Sequence, residues 1–403
     1  MNTILIILIV YLILNTIIWV VRHLSLSRSK RSAEVLDSKF NPVQPEPLPK
    51  LSVLVAAKNE EKNIERCLRS LVAQDYPDLE IIAVNDRSTD RTEAIMDRLA
   101  AESGGRLKVI HIRELPSDWL GKPHALFEGQ KQAAGQYLMF TDADCFFQCP
   151  DALRIGVQFA REKQVDLLSI MPVSETSTFW ERVLQPVCSG ILIVWFRPEW
   201  VNDPGRKVAY ANGAYMLFTR ECYDRVGGHT VVREYLMEDL AFSRLVKGGG
   251  MRLYVVPNRD LYRVRMYEGF KATFNGWSRI FYGAFARASM IVGALAMLTI
   301  MSLLPYLVLL VALGAAIIKN WDMATRSWHA FAWSGVAILA QQSVLFRFYP
   351  AMGTRWYRAL AYPLGAGVAF FILLNSLKKI LGGPIVWRGT PIVHKDGKLS
   401  STR

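Results

Sequence analysis

Three acidic clusters in this 403-residue chain have the residue types and spacing to do chemistry. The segment Phe140-Thr141-Asp142-Ala143-Asp144-Cys145 ends an apolar run with two carboxylates one residue apart. On extended backbone alternate side chains diverge, so such a pair can grip different parts of one ligand. Oxygen donors select a hard cation, Mg²⁺ or Mn²⁺, which would bridge to phosphate oxygens. Asp86 ends a second apolar run, where a carboxylate can accept hydrogen bonds from a nucleobase N–H or a ribose hydroxyl. Asp90, a few residues on, stands where an N-cap is expected. Glu238-Asp239 precede the apolar-periodic segment Leu240 to Val246, which closes on Gly248-Gly249-Gly250. The pair therefore sits at a helix N-terminus, open to two readings: compensation of the helix dipole, or general base catalysis.

The elements that must position these groups alternate along the chain. Strand-like runs at 51–57, 79–84, 107–112, 137–142 and 166–172 are separated by helical patterns near 61–73, 90–102, 123–134 and 151–163. That βαβ spacing predicts an α/β domain with a mostly parallel sheet and helices on both faces. Ligands of such sheets lie off the carboxyl ends of the strands, where Lys58-Asn59-Glu60 and Asp86 fall. No glycine-rich loop follows either of the first two strands. This counts against an unmodified dinucleotide-binding turn and a phosphate-cradling GKS/T loop.

The chain is 51% hydrophobic and 21% charged, with a net charge of +13, which excludes disorder. Uncharged runs at 3–21, 288–318, 327–346 and 359–377 approach or exceed the roughly 20 residues that span a bilayer. Residues 1–22 read as an uncleaved transmembrane anchor and 23–50, with four prolines, as a linker. Arg22, Arg28, Lys30 and Arg31 after the first span predict an integral protein of the cell inner membrane with its soluble domain in the cytosol. Pro305 in the longest run leaves open whether that run makes one pass or two. Basic residues gather near the spans, which points to anionic lipid and not to nucleic acid. Five cysteines with no CxxC pair read as reduced thiols, and His111, His124 and His229 as ordinary loop or core residues.

Seven ordered segments (VAAKNEEKNIERCLRSL, DYPDLEIIAVNDRSTDRT, WLGKPHAL, FTDADC, ANGAYMLFTRECYDRVGG, MEDLAFSRLVKGGG and FNGWSRIFYGA) resemble the family 2 glycosyltransferases of GT-A fold. With one N-terminal span, several C-terminal spans and Trp387-Arg388-Gly389, the chain is most similar to ceramide, hopanoid and carotenoid glucosyltransferase types. The resemblance implies a GT-A domain over 51–268, an interfacial amphipathic helix over 269–287, about three transmembrane helices over 288–377 and a basic tail over 378–403. It implies transfer of one hexose, such as glucose, from a nucleotide-diphosphate sugar (a UDP-sugar) to a membrane-lipid hydroxyl, with inversion and with Mg²⁺ or Mn²⁺.

In that scheme Lys58, Asn59, Glu60, Asp86, Lys122, Asp142 and Arg279 serve the donor, and Asp144 and Asp142 the metal, Asp144 directly. Asp239, with Glu238, is the base that takes the acceptor proton, and Asn212, Gly213 and Trp277 face the acceptor. Plainer readings stand beside several of these: a solvated loop lysine for Lys122, an Asn-Gly β-turn for Asn212-Gly213, interfacial anchoring for Trp277. Asn275-Gly276-Trp277-Ser278-Arg279 replaces the Q-x-x-R-W of processive synthases, which favours one sugar per acceptor. The rivals are a polysaccharide synthase, a polyprenyl-phosphate sugar transferase, and a non-catalytic nucleotide-sugar-binding membrane partner.

Overall fold

A computed structural model describes residues 3–29, 34–42, 47–285, 287–317, 321–383, 385–387, 390–395 and 398–401. Lys30 and Arg31 of the basic cluster, and Arg388 and Gly389 of the near-terminal motif, lie outside the described residues. The chain divides into two compact units: Met1–Ala33, Thr176–Leu192 and Tyr267–Leu381 form one, Glu34–Glu175, Ile193–Met266 and Gly382–Arg403 the other.

The second unit is built on strands β1 Leu51–Ala57, β2 Leu79–Asp86, β3 Leu107–Ile112, β4 Tyr137–Asp142, β5 Cys145–Phe147, β6 Leu167–Met171, β7 Val173–Ser174, β8 Met216–Thr219, β9 Leu253–Pro257 and β10 Tyr262–Val264. Seven of them form one sheet in the order β3-β2-β1-β4-β8-β6-β9. Only β8 runs against its neighbours; the other pairings are parallel. Every residue of β2 is buried, and its central run Ile81 to Val84 is apolar as a strand covered on both faces requires. The helix Ile64–Val72 buries Ile64, Cys67, Leu68 and Leu71, the i, i+3, i+4, i+7 stripe of one face. The pairings Ala57↔Asn85, Asp86↔Ile112 and Ala56↔Asp142 bring the ends of β1, β2 and β4 to one edge. A smaller sheet, β5-β10-β7, lies just past the Asp142-Ala143-Asp144 motif.

Four features differ from the sequence expectation. The helix expected near 123–134 starts earlier, as Gly121–Gln130, because a proline within the first turn loses no intrahelical bond and Leu120 supplies an extended residue before it. Part of the stretch expected to be linker differs: residues 23–29 continue the first helix, Thr3–Ser29, and in 34–42 Leu36 is buried and its N–H donates to Pro257 O at 2.9 Å. Residues Thr176–Leu192, expected inside the soluble domain, cluster with the membrane helices. The basic tail pairs as antiparallel strands Ile385–Trp387, Thr390–Lys395 and Lys398–Ser401.

In the first unit three helices are long and apolar enough to cross a membrane among the described residues: Thr3–Ser25, Ala288–Gly314 and Trp356–Ile380, of mean hydropathy 2.9, 2.4 and 1.7. The uncharged run 327–346 forms the middle of the helix Trp321–Ala351, which carries His329, Gln341 and Gln342 and is not one of the three. Pro305 does not split the long run. It lacks the N–H that would reach Met301 O, a π-helical turn (Thr299–Leu303) takes up the slip, and the freed carbonyl accepts Trp19 Nε1 at 3.0 Å and Asn15 Nδ2 at 3.3 Å. A helix forms at Gly269–Phe285 and buries Trp277, Phe281 and Phe285.

Candidate active site

The site grows from the carboxyl edge of the large sheet. After β1, Asn59 adopts a left-handed backbone, φ 55°, and its Oδ1 accepts the Thr89 amide at 2.8 Å, while its own amide donates to Ser88 Oγ at 3.0 Å. The Glu60 amide donates to Thr92 Oγ1 at 2.8 Å. The loops after β1 and β2 are thus laced together, with Arg87 left-handed as well at φ 53°. Asp90 Oδ1 accepts the Thr92 amide at 3.0 Å, but the N-cap of the helix Thr92–Glu102 is Arg91, one residue after the Asp90 expected there.

Asp86 is buried, and the guanidinium of Arg87, which sequence reasoning missed, grips it through Nε–Oδ1 at 2.7 Å and Nη2–Oδ2 at 3.1 Å. Gly121 opens its helix directly against this pair. A Cβ there would lie 2.5 Å from Asp86 Oδ2, so only glycine permits the approach.

One residue on, Lys122 leaves no room for the reading of a solvated loop lysine. Its Nζ lies 2.6 Å from Asp142 Oδ1 and 2.6 Å from Glu238 Oε1. These two carboxylates hold the ammonium well above its ordinary pKa, against the opposing effect of burial. In the Asp-Ala-Asp segment the carboxylates are half-buried and Ala143 between them is buried; β4 ends at Asp142, and Ala143-Asp144 form a turn into β5 where the sequence reading expected a continuing extended edge. The Asp144 carbonyl accepts the Arg265 amide of the segment after β10 at 3.0 Å. Burial pushes the neighbouring Cys67 thiol up, and Asp144, Asp142 and Glu60 push it further.

The Asn212 loop is stitched to two strands. The Asn212 amide donates to Ser169 Oγ of β6 at 2.8 Å, and Thr141 Oγ1 of β4 donates to Ala214 O at 2.7 Å. Asn212 Oδ1 accepts the Ala214 amide at 3.0 Å. Next in line, the Gly213 amide donates to Asp239 Oδ2 at 3.0 Å, and the helix Glu238–Gly248 presents Asp239 from its first turn. Burial raises the Asp239 carboxyl to about 7, Glu238 adds to the rise, and Lys122 and the Leu240 and Gly213 amides oppose it. Tyr210, also missed from sequence, is pushed up to about 12 by burial and by Asp239. Lys247, at the far end of that helix, donates to the carbonyls of Trp200 at 3.2 Å, Val201 at 2.5 Å and Val208 at 2.7 Å, anchoring the segment that leads into Asn212.

His229 is fully buried, bonded through Nδ1 to Tyr223 OH at 2.7 Å, and burial with Lys122 nearby lowers it to about 3, so it is a neutral core residue. Glu93, Asp97 and His111 lie close enough together to hold a cation, but Glu93 is taken by Arg113 at 2.9 and 2.8 Å and His111 by Asp97 at 2.9 Å. Trp277 and Arg279 belong to the membrane unit. Trp277 is buried with its N–H donating to Gln185 Oε1 at 2.8 Å, and Arg279 Nη2 donates to Tyr267 OH at 3.0 Å.

This architecture is shared by a mannosyltransferase from Pyrobaculum calidifontis solved in complex with GDP-Man and Mn²⁺. That likeness covers 83% of this chain and 98% of the other, at 21% identity and a TM-score of 0.51. At that identity it establishes the fold, which is the GT-A glycosyltransferase fold. Residues 52–227 match the family described as glycosyl transferase family 2. A 4,4'-diaponeurosporenoate glycosyltransferase of Staphylococcus aureus (strain MRSA252) is 29% identical over 231 residues, 57% of this chain and 60% of the relative. The match thus spans about 60% of the length of the curated relatives.

Proposed function

We propose that the protein is a membrane-bound, inverting, non-processive glycosyltransferase that moves one hexose from a nucleotide-diphosphate donor, a UDP-sugar, to a hydroxyl of a membrane lipid at the cytosolic face of the inner membrane. The carrying observation is Lys122 Nζ at 2.6 Å from both Asp142 and Glu238, which gathers the two acidic motifs beside Asp86. Asp86 and the β1 loop, Lys58 to Glu60, would seat uracil and ribose. Asp239 would take the proton from the acceptor hydroxyl as its oxygen bonds to the sugar C1 and the C1–O bond to diphosphate breaks, the diphosphate leaving with the electron pair. One displacement inverts the anomeric centre.

Asp142 and Asp144 fit a divalent cation: both are oxygen donors on an open edge, and an ammonium already sits against one of them. Mg²⁺ or Mn²⁺ held there would neutralise charge on the departing diphosphate. The mannosyltransferase solved with Mn²⁺ supports this choice.

The test is to incubate the reconstituted protein with a panel of nucleotide sugars and a total lipid extract, then search for new glycolipid masses. Products that lengthen with time on one acceptor would favour a polysaccharide synthase. Nucleotide-sugar binding with no product over the whole panel would favour a non-catalytic partner. The staphylococcal relatives, named for a diaponeurosporenoate, motivate a second reading in which the acceptor is a carboxylate. Such an acceptor, like a polyprenyl phosphate, has no proton to give up, and Asp239→Asn would then keep most of its activity.

A further inference from the structure

We infer that Lys122 is the cation this site carries before a metal ion arrives, and that Asp142 is handed from the lysine to the metal. The inference rests on the reading of Asp142 and Asp144 as metal ligands.

Two carboxylates from separate elements, the end of β4 and the first turn of the helix Glu238–Gly248, converge on one ammonium at 2.6 Å each. Without the lysine, both would face one another's charge with no compensation. The two partners are not equivalent. The Glu238 side chain is 5% exposed and that of Asp142 34%. Stripping a cation from a buried carboxylate leaves an uncompensated buried charge, whereas an exposed one can be taken over by water or an incoming ion. Exchange therefore takes place at Asp142, and Lys122 stays on Glu238.

Gly213 leaves space for that motion. A Cβ there would lie 3.2 Å from Lys122 Nζ, 3.5 Å from Asp239 Oδ2 and 3.7 Å from Asp142 Oδ2, in the middle of the three groups. The N–H that Lys122 withdraws from Asp142 is then free for a phosphate oxygen, so metal and donor reinforce each other's binding. The lysine acts as a counter-ion and positioning residue in the metal-free protein, and a metal ion must compete with it.

The test titrates Mn²⁺ into the purified full-length protein in detergent, without nucleotide, by electron paramagnetic resonance. Lys122→Met should bind Mn²⁺ at least about tenfold tighter than wild type, and Mn²⁺ should raise its melting temperature more. Adding Asp142→Asn to Lys122→Met should cancel the gain. Equal affinity of wild type and Lys122→Met would overturn the exchange and leave the metal reading standing. Absence of Mn²⁺ binding to every form would overturn both. If Lys122→Met unfolds before it can be titrated, thermal melts decide: recovery of a folded transition with Mn²⁺ supports the exchange, and no recovery overturns it.

Discussion

The Gly213 amide and the Asp239 carboxylate are joined by a 3.0 Å hydrogen bond, while the other Asp239 oxygen accepts the Leu240 amide at 2.7 Å. The carboxylate is thereby held across from the Asn-Gly loop, which limits its freedom as a plain helix cap. Asp239→Asn keeps the size but cannot take a proton. Transfer to a hydroxyl acceptor should fall by about 10²- to 10⁴-fold in kcat with little change in donor KM, measured with a radiolabelled nucleotide sugar.

The same carboxyl predicts a pH profile. Burial, with Glu238 beside it, raises its pKa to about 7, and a base works deprotonated. The kcat/KM should climb as pH rises through about 7. Stability should run the other way. The folded chain binds a proton that the unfolded chain releases near the ordinary value of 3.8, so ionising Asp239 costs folding free energy as pH rises between those values. Parallel pH series of activity and of chemical denaturation check both slopes, and the activity slope should vanish for an acceptor without a proton.

Metal removal gives a third expectation. Chelation should abolish transfer, Mn²⁺ or Mg²⁺ should restore it, and Ca²⁺, with its longer and looser coordination, should restore less. Asp144→Asn should leave activity at background at any metal concentration tolerated by wild type. Full activity of the Asn variant would remove Asp144 from the reading.

Gly121→Ala probes the donor end. A methyl 2.5 Å from Asp86 Oδ2 must displace the Asp86–Arg87 pair. Overpacking of this kind costs about 1–3 kcal/mol, so the melting temperature should drop modestly. If Asp86 seats the nucleoside, binding of free UDP by titration calorimetry should weaken several-fold more than that drop in stability explains. Unchanged UDP affinity would separate Asp86 from the donor.

Glu181 should matter for stability alone. Although burial raises its pKa, hydrogen bonds from the amides of Gly269 and Ser177 at 2.7 Å each and from Thr178 Oγ1 at 2.8 Å pull it down to about 2. Its contribution is complete above the ordinary 4.5 and is lost as pH falls from there toward about 2. Glu181→Ala should destabilise the membrane unit by about 3 kcal/mol, read as a shifted unfolding midpoint in detergent.

What could be read from sequence follows the range of each signal. The alternation of apolar strands and helices is local, so β1 to β4 and β6 lay where the pattern put them, and the acidic ends of β2 and β4 stood out. Lys122 was ambiguous because its partners come from Asp142 and Glu238, far along the chain, and no local pattern records a meeting of that kind. Arg87 was hidden by its neighbour: a basic residue after a carboxylate is ordinary until its left-handed backbone folds it back on Asp86. The segment Thr176–Leu192 carries Glu181 and Arg182, and nothing local sets it apart from the domain on either side of it. Its allegiance depends on Trp277 and Tyr349, which no window around it contains.

That allegiance bears on how the chain is made. Gln185 receives its bond from Trp277, 92 residues later, and the Val183 carbonyl from Tyr349, 166 residues later. At the pace of translation those partners arrive on the order of ten seconds after the helix has left the ribosome. The large sheet, whose last strand ends at Pro257, can close in that interval. Residues 179–192 therefore spend those seconds without the bonds that Trp277 and Tyr349 later give them.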